Sequence, residues 1–249
     1  MALDLGGNWG NEFARLVAAR KLSTEQLWDL YPPYAGEKPA SGVDLAKLYR
    51  DLGVYKTEGG LKTSLSLPVI GEPGFNEGRG SNNWVVAGSH TTTGKPLLAN
   101  DPHLALSAPA IWYYAHLQTP DTDVIGASLP GLPFVVLGRN THVAWGFTNT
   151  GPDVQDLYLE QIDPNNPTRY KTPTGWQAFD TRTETIVVKG KPVVTHVVRS
   201  TRHGPVLSDA QAAHGEVLDL SRFVLALRWS ALDADNRTLV GGLKAQQAK

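Results

Sequence analysis

Gly78-Arg79-Gly80-Ser81-Asn82-Asn83-Trp84 joins a glycine-flanked leader to the apolar run Trp84-Val85-Val86-Ala87-Gly88. A serine between a permissive backbone and the start of a strand can become a new amino terminus once the bond before it breaks. It then carries a nucleophilic hydroxyl and its own base, the α-amine. With a reference pKa of about 7.7–8.0, roughly a tenth of such an amine is neutral at pH 7, whereas a lysine at about 10.4 is almost wholly charged. Gly80 tolerates backbone geometries that other residues resist, which eases cleavage there. The alternative for Ser81 is an ordinary capping or buried serine. No Gly-x-Ser-x-Gly elbow occurs, which disfavours an α/β-hydrolase.

On either side of this junction the character of the chain differs. Residues 11–21 carry Phe13, Leu16 and Val17 at helical spacing, and Ser23-Thr24-Glu25-Gln26 is a capping box opening a second helix. Pro32-Pro33 ends that helix, a third fits 42–52, and 53–80 reads as a linker rich in Gly, Ser, Lys and Pro. From Ser81 onward strands dominate, from 84–89 through 96–100, 111–118, 123–128, 134–139, 143–148, 156–162, 183–188, 192–200 and 205–207 to 223–229. The closing stretch 237–249 reads as helix. Helices first and strands after argue an α+β or layered sandwich fold.

The bulk numbers remove several function classes. The 249 residues are 41% hydrophobic and 19% charged, an ordinary globular composition. A net charge of −1 gives no basic field for nucleic acid. With no Cys there is no disulfide, zinc–thiolate site or cysteine nucleophile. No apolar run reaches membrane-spanning length, and the first residues lack the basic and apolar regions of a signal peptide. No membrane or nucleic-acid partner is therefore expected.

Four segments taken together resemble the penicillin acylase family of N-terminal nucleophile hydrolases. They are Ser81-Asn82-Asn83-Trp84-Val85-Val86-Ala87-Gly88, Pro96-Leu97-Leu98-Ala99-Asn100-Asp101-Pro102-His103-Leu104, Val143-Ala144-Trp145-Gly146-Phe147-Thr148-Asn149-Thr150, and Asp153-Val154-Gln155-Asp156. Leu3-Asp4-Leu5-Gly6-Gly7-Asn8-Trp9-Gly10-Asn11-Glu12 is similar to the end of that family's α chain. The resemblance implies a four-layer αββα sandwich, present here in part. Residues 1–80 would be the end of the α chain plus spacer, and 81–249 the start of the β chain. It further implies self-cleavage between Gly80 and Ser81, an α/β heterodimer as product, and hydrolysis of a small-molecule linear N-acyl amide through an acyl-enzyme on Ser81.

Other roles are carried over position by position. His103 matches a residue that contributes to the oxyanion site through its main chain and orders the nucleophile; on its own it reads as a turn residue. Asn149 matches the residue whose backbone N–H donates to the oxyanion, where one donor is typically worth about 10²–10³ in rate. The family's second donor, an Asn side chain much further along, has no match here. Leu104, Leu137 and Phe147 match lining positions of the acyl pocket, and Leu5 lies near where the α-chain pocket helix contributes. Each could equally be core, and the lining suits a fatty-acyl or an aryl-acyl group alike.

Glu12, Asp153, Asp156 and the Gln155 carbonyl match ligands of a structural calcium, whose hard oxygen preference they meet. Two aspartates in a turn are otherwise usually just solvated. Further family ligands have no match, so the site is expected to be incomplete, and no organic cofactor is expected. Thr201-Arg202-His203-Gly204-Pro205 also looks family-like, with a structural role. Family habit implies a periplasmic or secreted protein. The alternatives are an inactive truncated homologue or strand-rich binding domain, and a conventional hydrolase using Ser81 or Ser89 with His90 or His103 and an Asp, needing no cleavage.

Overall fold

The computed structural model describes residues 8–31, 43–56, 81–104, 108–149 and 153–249. They belong to two compact units, one of Met1–Gly6, Glu72–Pro152 and Ala234–Lys249, the other of Gly7–Gly71 and Asp153–Asp233. Spatial grouping therefore does not follow the 80/81 boundary. The helices before that boundary share a unit with strands from well beyond it. Gly80 and Leu5 lie outside the described residues.

In the first unit, β1 (Asn82–Val86) pairs antiparallel with β2 (Leu97–Asp101), with Asn82 opposite Asp101. A second sheet runs in order through β3 (Tyr113–Thr119), β4 (Thr122–Ser128), β5 (Leu137–Arg139) and β6 (Ala144–Trp145). The last two strands are shorter than the apolar runs 134–139 and 143–148 suggest. Phe134 and Val135 are buried, and Phe134 lies against Gly242 of helix Thr238–Ala245, where an added Cβ would sit 2.5 Å from its ring. Buried Asn140 closes the β5–β6 turn by accepting from the His142 and Val143 N–H groups, both at 2.7 Å. Its amide donates to the Gln246 and Ala248 carbonyls, so one side chain fastens the turn and the end of that helix.

The second unit begins with α1 (Trp9–Ala18), α2 (Thr24–Leu30) and α3 (Leu45–Leu52). The capping box of α2 is present, Ser23 accepting from the Gln26 N–H and Gln26 accepting from that of Ser23. A four-stranded sheet has the order β13 (Phe223–Trp229), β7 (Gln155–Asp163), β8 (Asn166–Thr172), β9 (Gly175–Ala178). A three-stranded sheet joins β10 (Asp180–Ile186), β11 (Val194–Thr201) and β12 (Gly204–Pro205). The sequence does not flag β8 and β9, because their residues are mostly polar and half-exposed, with no period-2 pattern.

β13 reads as an unbroken apolar run because it serves two cores. Phe223 and Leu225 pack with Phe13, Leu16, Val54, Val217 and Leu218, whereas Val224 packs with Ile162, Tyr170, Phe179 and Val206. Each such side chain contributes about 1.5–3 kcal/mol on burial. Val54 is 0% exposed and Tyr55 bridges to Leu218, so residues 53–56, expected as the start of a linker, are docked; the rest of that expected linker lies outside the described residues. This residual strand pairing follows the Gly53 helix cap, whose φ is 63°.

The Thr201–Gly204 turn is docked rather than loose. His203 Nδ1 lies 2.6 Å from buried Glu160, and its ring stacks on Tyr158. Gly204 has φ +141°, and a Cβ there would lie 2.1 Å from the Leu227 carbonyl oxygen. We expect Gly204→Ala to cost about 3 kcal/mol or more, since both the backbone conformation and a backbone–backbone overlap oppose it. A urea midpoint equal to that of the unaltered chain would refute this.

His214, 1% exposed, sits between Trp9 and Phe13, and its Nδ1 has no hydrogen-bond partner among the described residues. Desolvation by burial lowers its pKa to about 4. A depressed histidine pKa means that its contribution to stability is present above about pH 6.5 and is lost as pH falls towards 4. The loss is about 3 kcal/mol by pH 4. In His214→Phe the drop in unfolding free energy between pH 7 and pH 4 should be smaller by that amount. Identical pH profiles for the two proteins would contradict it.

Candidate active site and cation cluster

Ser81 immediately precedes β1. The β1–β2 register sets Asn82 opposite Asp101, which brings the residue before β1 beside those following β2. The Ser81 hydroxyl oxygen accepts a hydrogen bond from the His103 main-chain N–H at 3.3 Å. The His103 imidazole turns elsewhere, its Nε2 lying 3.0 Å from Asp101 Oδ2. Asp101 also accepts from Asn82 Nδ2 at 3.3 Å. The Asp101 carboxyl is held below the usual carboxylate range: partial desolvation, which raises it, is outweighed by the hydrogen bonds from Asn82 and His103. This contact is exposed, and exposed pairs of this kind contribute little to stability.

Of the expected pocket residues, half-buried Leu137 lines a concavity of about 500 Å³ with Leu98, Trp112, Ile125 and Trp145. Leu104 is half-buried and Phe147 exposed, and neither is among the described residues lining it. Phe147 instead meets Asn100, whose amide bonds both of its backbone groups. Asn149 is exposed at the end of the same segment. Among the described residues no imidazole bonds the Ser81 hydroxyl. Ser89 and His90 lie in an exposed turn after β1.

Two groups at this site have no separate signal in the sequence. Asn100 stands inside the quoted Asn100-Asp101-Pro102-His103 motif, but its side chain reaches residues far along the chain. Asp101 carried no signal of its own, because its role depends on the strand register.

In the second unit, carboxylate oxygens of Glu12, Asp153 and Asp156 lie within 4.8 Å of one another. Glu12 comes from α1, and its Oε2 accepts from the Leu157 N–H. Burial, with Asp156 and Asp153 adding their charges, pushes the Glu12 carboxyl up to about 7, against the lowering hydrogen bond from Leu157. Asn8 Nδ2 donates to Asp153, and its buried Oδ1 has no hydrogen-bond partner among the described residues. Three crowded carboxylates and an orphaned amide oxygen fit a hard divalent cation such as calcium. Gln155 lies within the same turn-to-strand segment. Its side chain is spent on the start of α1, accepting from the Asn8 and Trp9 N–H groups at 3.1 and 3.5 Å.

Helical segments and several antiparallel sheets make the chain α+β. It is similar to a solved structure of thermostable penicillin G acylase from Alcaligenes faecalis, with a TM-score of 0.56 and 26% identity over 67% of this chain and 29% of that one. The penicillin amidase family model matches residues 1–249, and the chain belongs to that family. Acyl-homoserine lactone acylase QuiP of Pseudomonas aeruginosa is 35% identical over 98% of this chain. Penicillin acylase 2 proenzyme of Pseudomonas sp. (strain SE83) is 34% identical over 67% of it. The chain spans 29% of the first of these relatives and 21% of the second.

Proposed function

We propose that this chain carries the nucleophile of an amidohydrolase that cleaves linear N-acyl amides after cutting its own backbone between Gly80 and Ser81. The observation that carries this reading is the environment of the Ser81 hydroxyl. It accepts from the His103 main-chain N–H, while the His103 imidazole is committed to Asp101. That leaves the proton-accepting role to the α-amine that cleavage creates. Names of relatives point the same way, one an acyl-homoserine lactone acylase and one a penicillin acylase proenzyme.

In the proposed reaction, Ser81 Oγ attacks the acyl carbonyl carbon as the α-amine takes its proton. The tetrahedral oxyanion is stabilised by backbone N–H groups, with Asn149 assigned one of them by family resemblance. The C–N bond then breaks, the departing amine receives the proton, and an ester on Ser81 remains. Water, deprotonated by the same α-amine, hydrolyses that ester to release the carboxylic acid. The apolar concavity around Leu137 suits an aliphatic or aromatic acyl group.

After cleavage, residues 1–80 and 81–249 would remain together as a heterodimer. Phe13, Leu16 and Val54 from the first piece are buried against Phe223 and Leu225 from the second. Calcium at Glu12, Asp153 and Asp156 would tie α1 to the start of β7 and act structurally. We place the protein in the periplasm or outside the cell.

Intact mass of the purified protein tests the reading. Two polypeptides that separate at Gly80/Ser81 under denaturing conditions are expected. A single uncleaved chain that still hydrolyses N-acyl amides would overturn it.

A further inference from the structure

A chain that opens at Ser81 has an unusual positional problem. Once the bond before it is cut, nothing upstream holds the nucleophile, and new termini fray unless they are tied down. Its position is then set by what grips residues 81 and 82. The His103 N–H reaches the hydroxyl, and Asp101 holds the Asn82 side chain. Asp101 also takes a hydrogen bond from the Asn82 backbone, whereas the Asn82 carbonyl is held by a different side chain.

Asn100 Nδ2 donates to the Asn82 carbonyl at 2.8 Å and to the Phe147 carbonyl at 3.0 Å. Its Oδ1 accepts from the Phe147 N–H at 3.0 Å. One planar amide thus uses both of its donor hydrogens and its acceptor on two chain segments. β6 ends at Trp145, so Phe147 has left the ladder, and the Asn100 side chain bonds both of its backbone groups as a neighbouring strand would. A second feature is fitted to this contact. At Gly146 an added Cβ would lie 2.7 Å from Asn100 Oδ1 and 2.8 Å from its Cβ and Cγ. Only a residue with no side chain lets the segment come so close.

We infer that Asn100 is a positioning residue, whose amide fixes the Ser81 nucleophile relative to the Phe147–Asn149 segment by bonding the Asn82 carbonyl and both backbone groups of Phe147. This rests on the assignment of Ser81 as nucleophile. The residue type follows from the geometry. Aspartate keeps the shape and the acceptor but loses both donors. Leucine keeps the approximate volume and loses all three bonds. Glutamine carries the same groups one methylene further out. Misplacing reacting groups by about 1 Å can cost about 10²-fold in rate.

The test compares Asn100→Leu, Asn100→Asp and Gly146→Ala with the unaltered processed protein, on whichever of phenylacetyl and decanoyl p-nitroanilide that protein cleaves faster. Each variant is expected to lose about 10²-fold in kcat, with KM changed by less than about threefold, the signature of misplaced reacting groups rather than lost binding. The Phe147 amide should exchange with solvent much faster in Asn100→Leu and stay protected in Asn100→Asp, which retains the acceptor. Because both sites act through one contact, Asn100→Leu/Gly146→Ala should be no slower than Asn100→Leu alone. Losses that multiply in the double variant, or a kcat for Asn100→Leu within about twofold of the unaltered protein, would overturn the inference while Ser81 stands. Activity that survives Ser81→Ala overturns the nucleophile assignment, and this inference with it.

Discussion

Ser81→Ala is expected to leave one uncleaved polypeptide whose turnover of N-acyl amides is at least about 10⁴-fold below that of the unaltered protein. The size follows from two losses at once. Alanine removes the hydroxyl proposed to attack the backbone and open the chain, which is also the hydroxyl proposed to form the acyl-enzyme. Without opening, the α-amine remains an amide nitrogen and cannot accept a proton. His103→Gln should be far milder, because the contact with Ser81 is made by the main-chain N–H, which any residue but proline supplies. Its imidazole contributes only an exposed pair with Asp101, so a loss of about fivefold or less is expected. Equal losses in the two variants would show that the imidazole is the base, and the α-amine account would fail.

Calcium should raise the thermal midpoint of the chelator-treated protein by about 5–10 °C once it exceeds its dissociation constant by about a hundredfold, which corresponds to about 2.7 kcal/mol. Without a cation, Asp153 and Asp156 place their charges beside Glu12, whose carboxyl is already pushed up to about 7 by burial and by those charges. A divalent cation reverses the sign of that interaction. Magnesium should do less, because it demands near-octahedral geometry and sheds its waters reluctantly. Asp153→Asn removes one charge from the cluster and should abolish most of the calcium response. A melting temperature indifferent to calcium would exclude the assigned role of these three carboxylates.

Much of this was legible in the sequence, and the reasons are local. The Ser23–Gln26 capping box and the β1 and β13 apolar runs carry their signals in consecutive residues, and each forms close to where it is expected. The α+β class follows from the change of character near residue 81. What escaped depends on partners distant in the chain. Val54 reads as linker because it follows Gly53 and precedes a stretch rich in Gly, Lys and Ser, and only the docked Leu218 segment shows it as core. β8 and β9 go unflagged because their residues are mostly polar and carry no apolar alternation. At the site, the Asn100 clamp spans 47 residues to Phe147 and the Glu12 bond to Leu157 spans 145. Short spacing rules do not reach that far.

In the proposed reaction Ser81, as a chain terminus, takes the acyl group. Brief reaction of the purified protein with a decanoyl or phenylacetyl p-nitrophenyl ester, acid quench and peptide mapping addresses it directly. One acyl group is expected per molecule, on the hydroxyl of a peptide that begins at Ser81 with a free α-amine. An acyl group on any other residue, or on a Ser81 still joined to Gly80, would contradict the account.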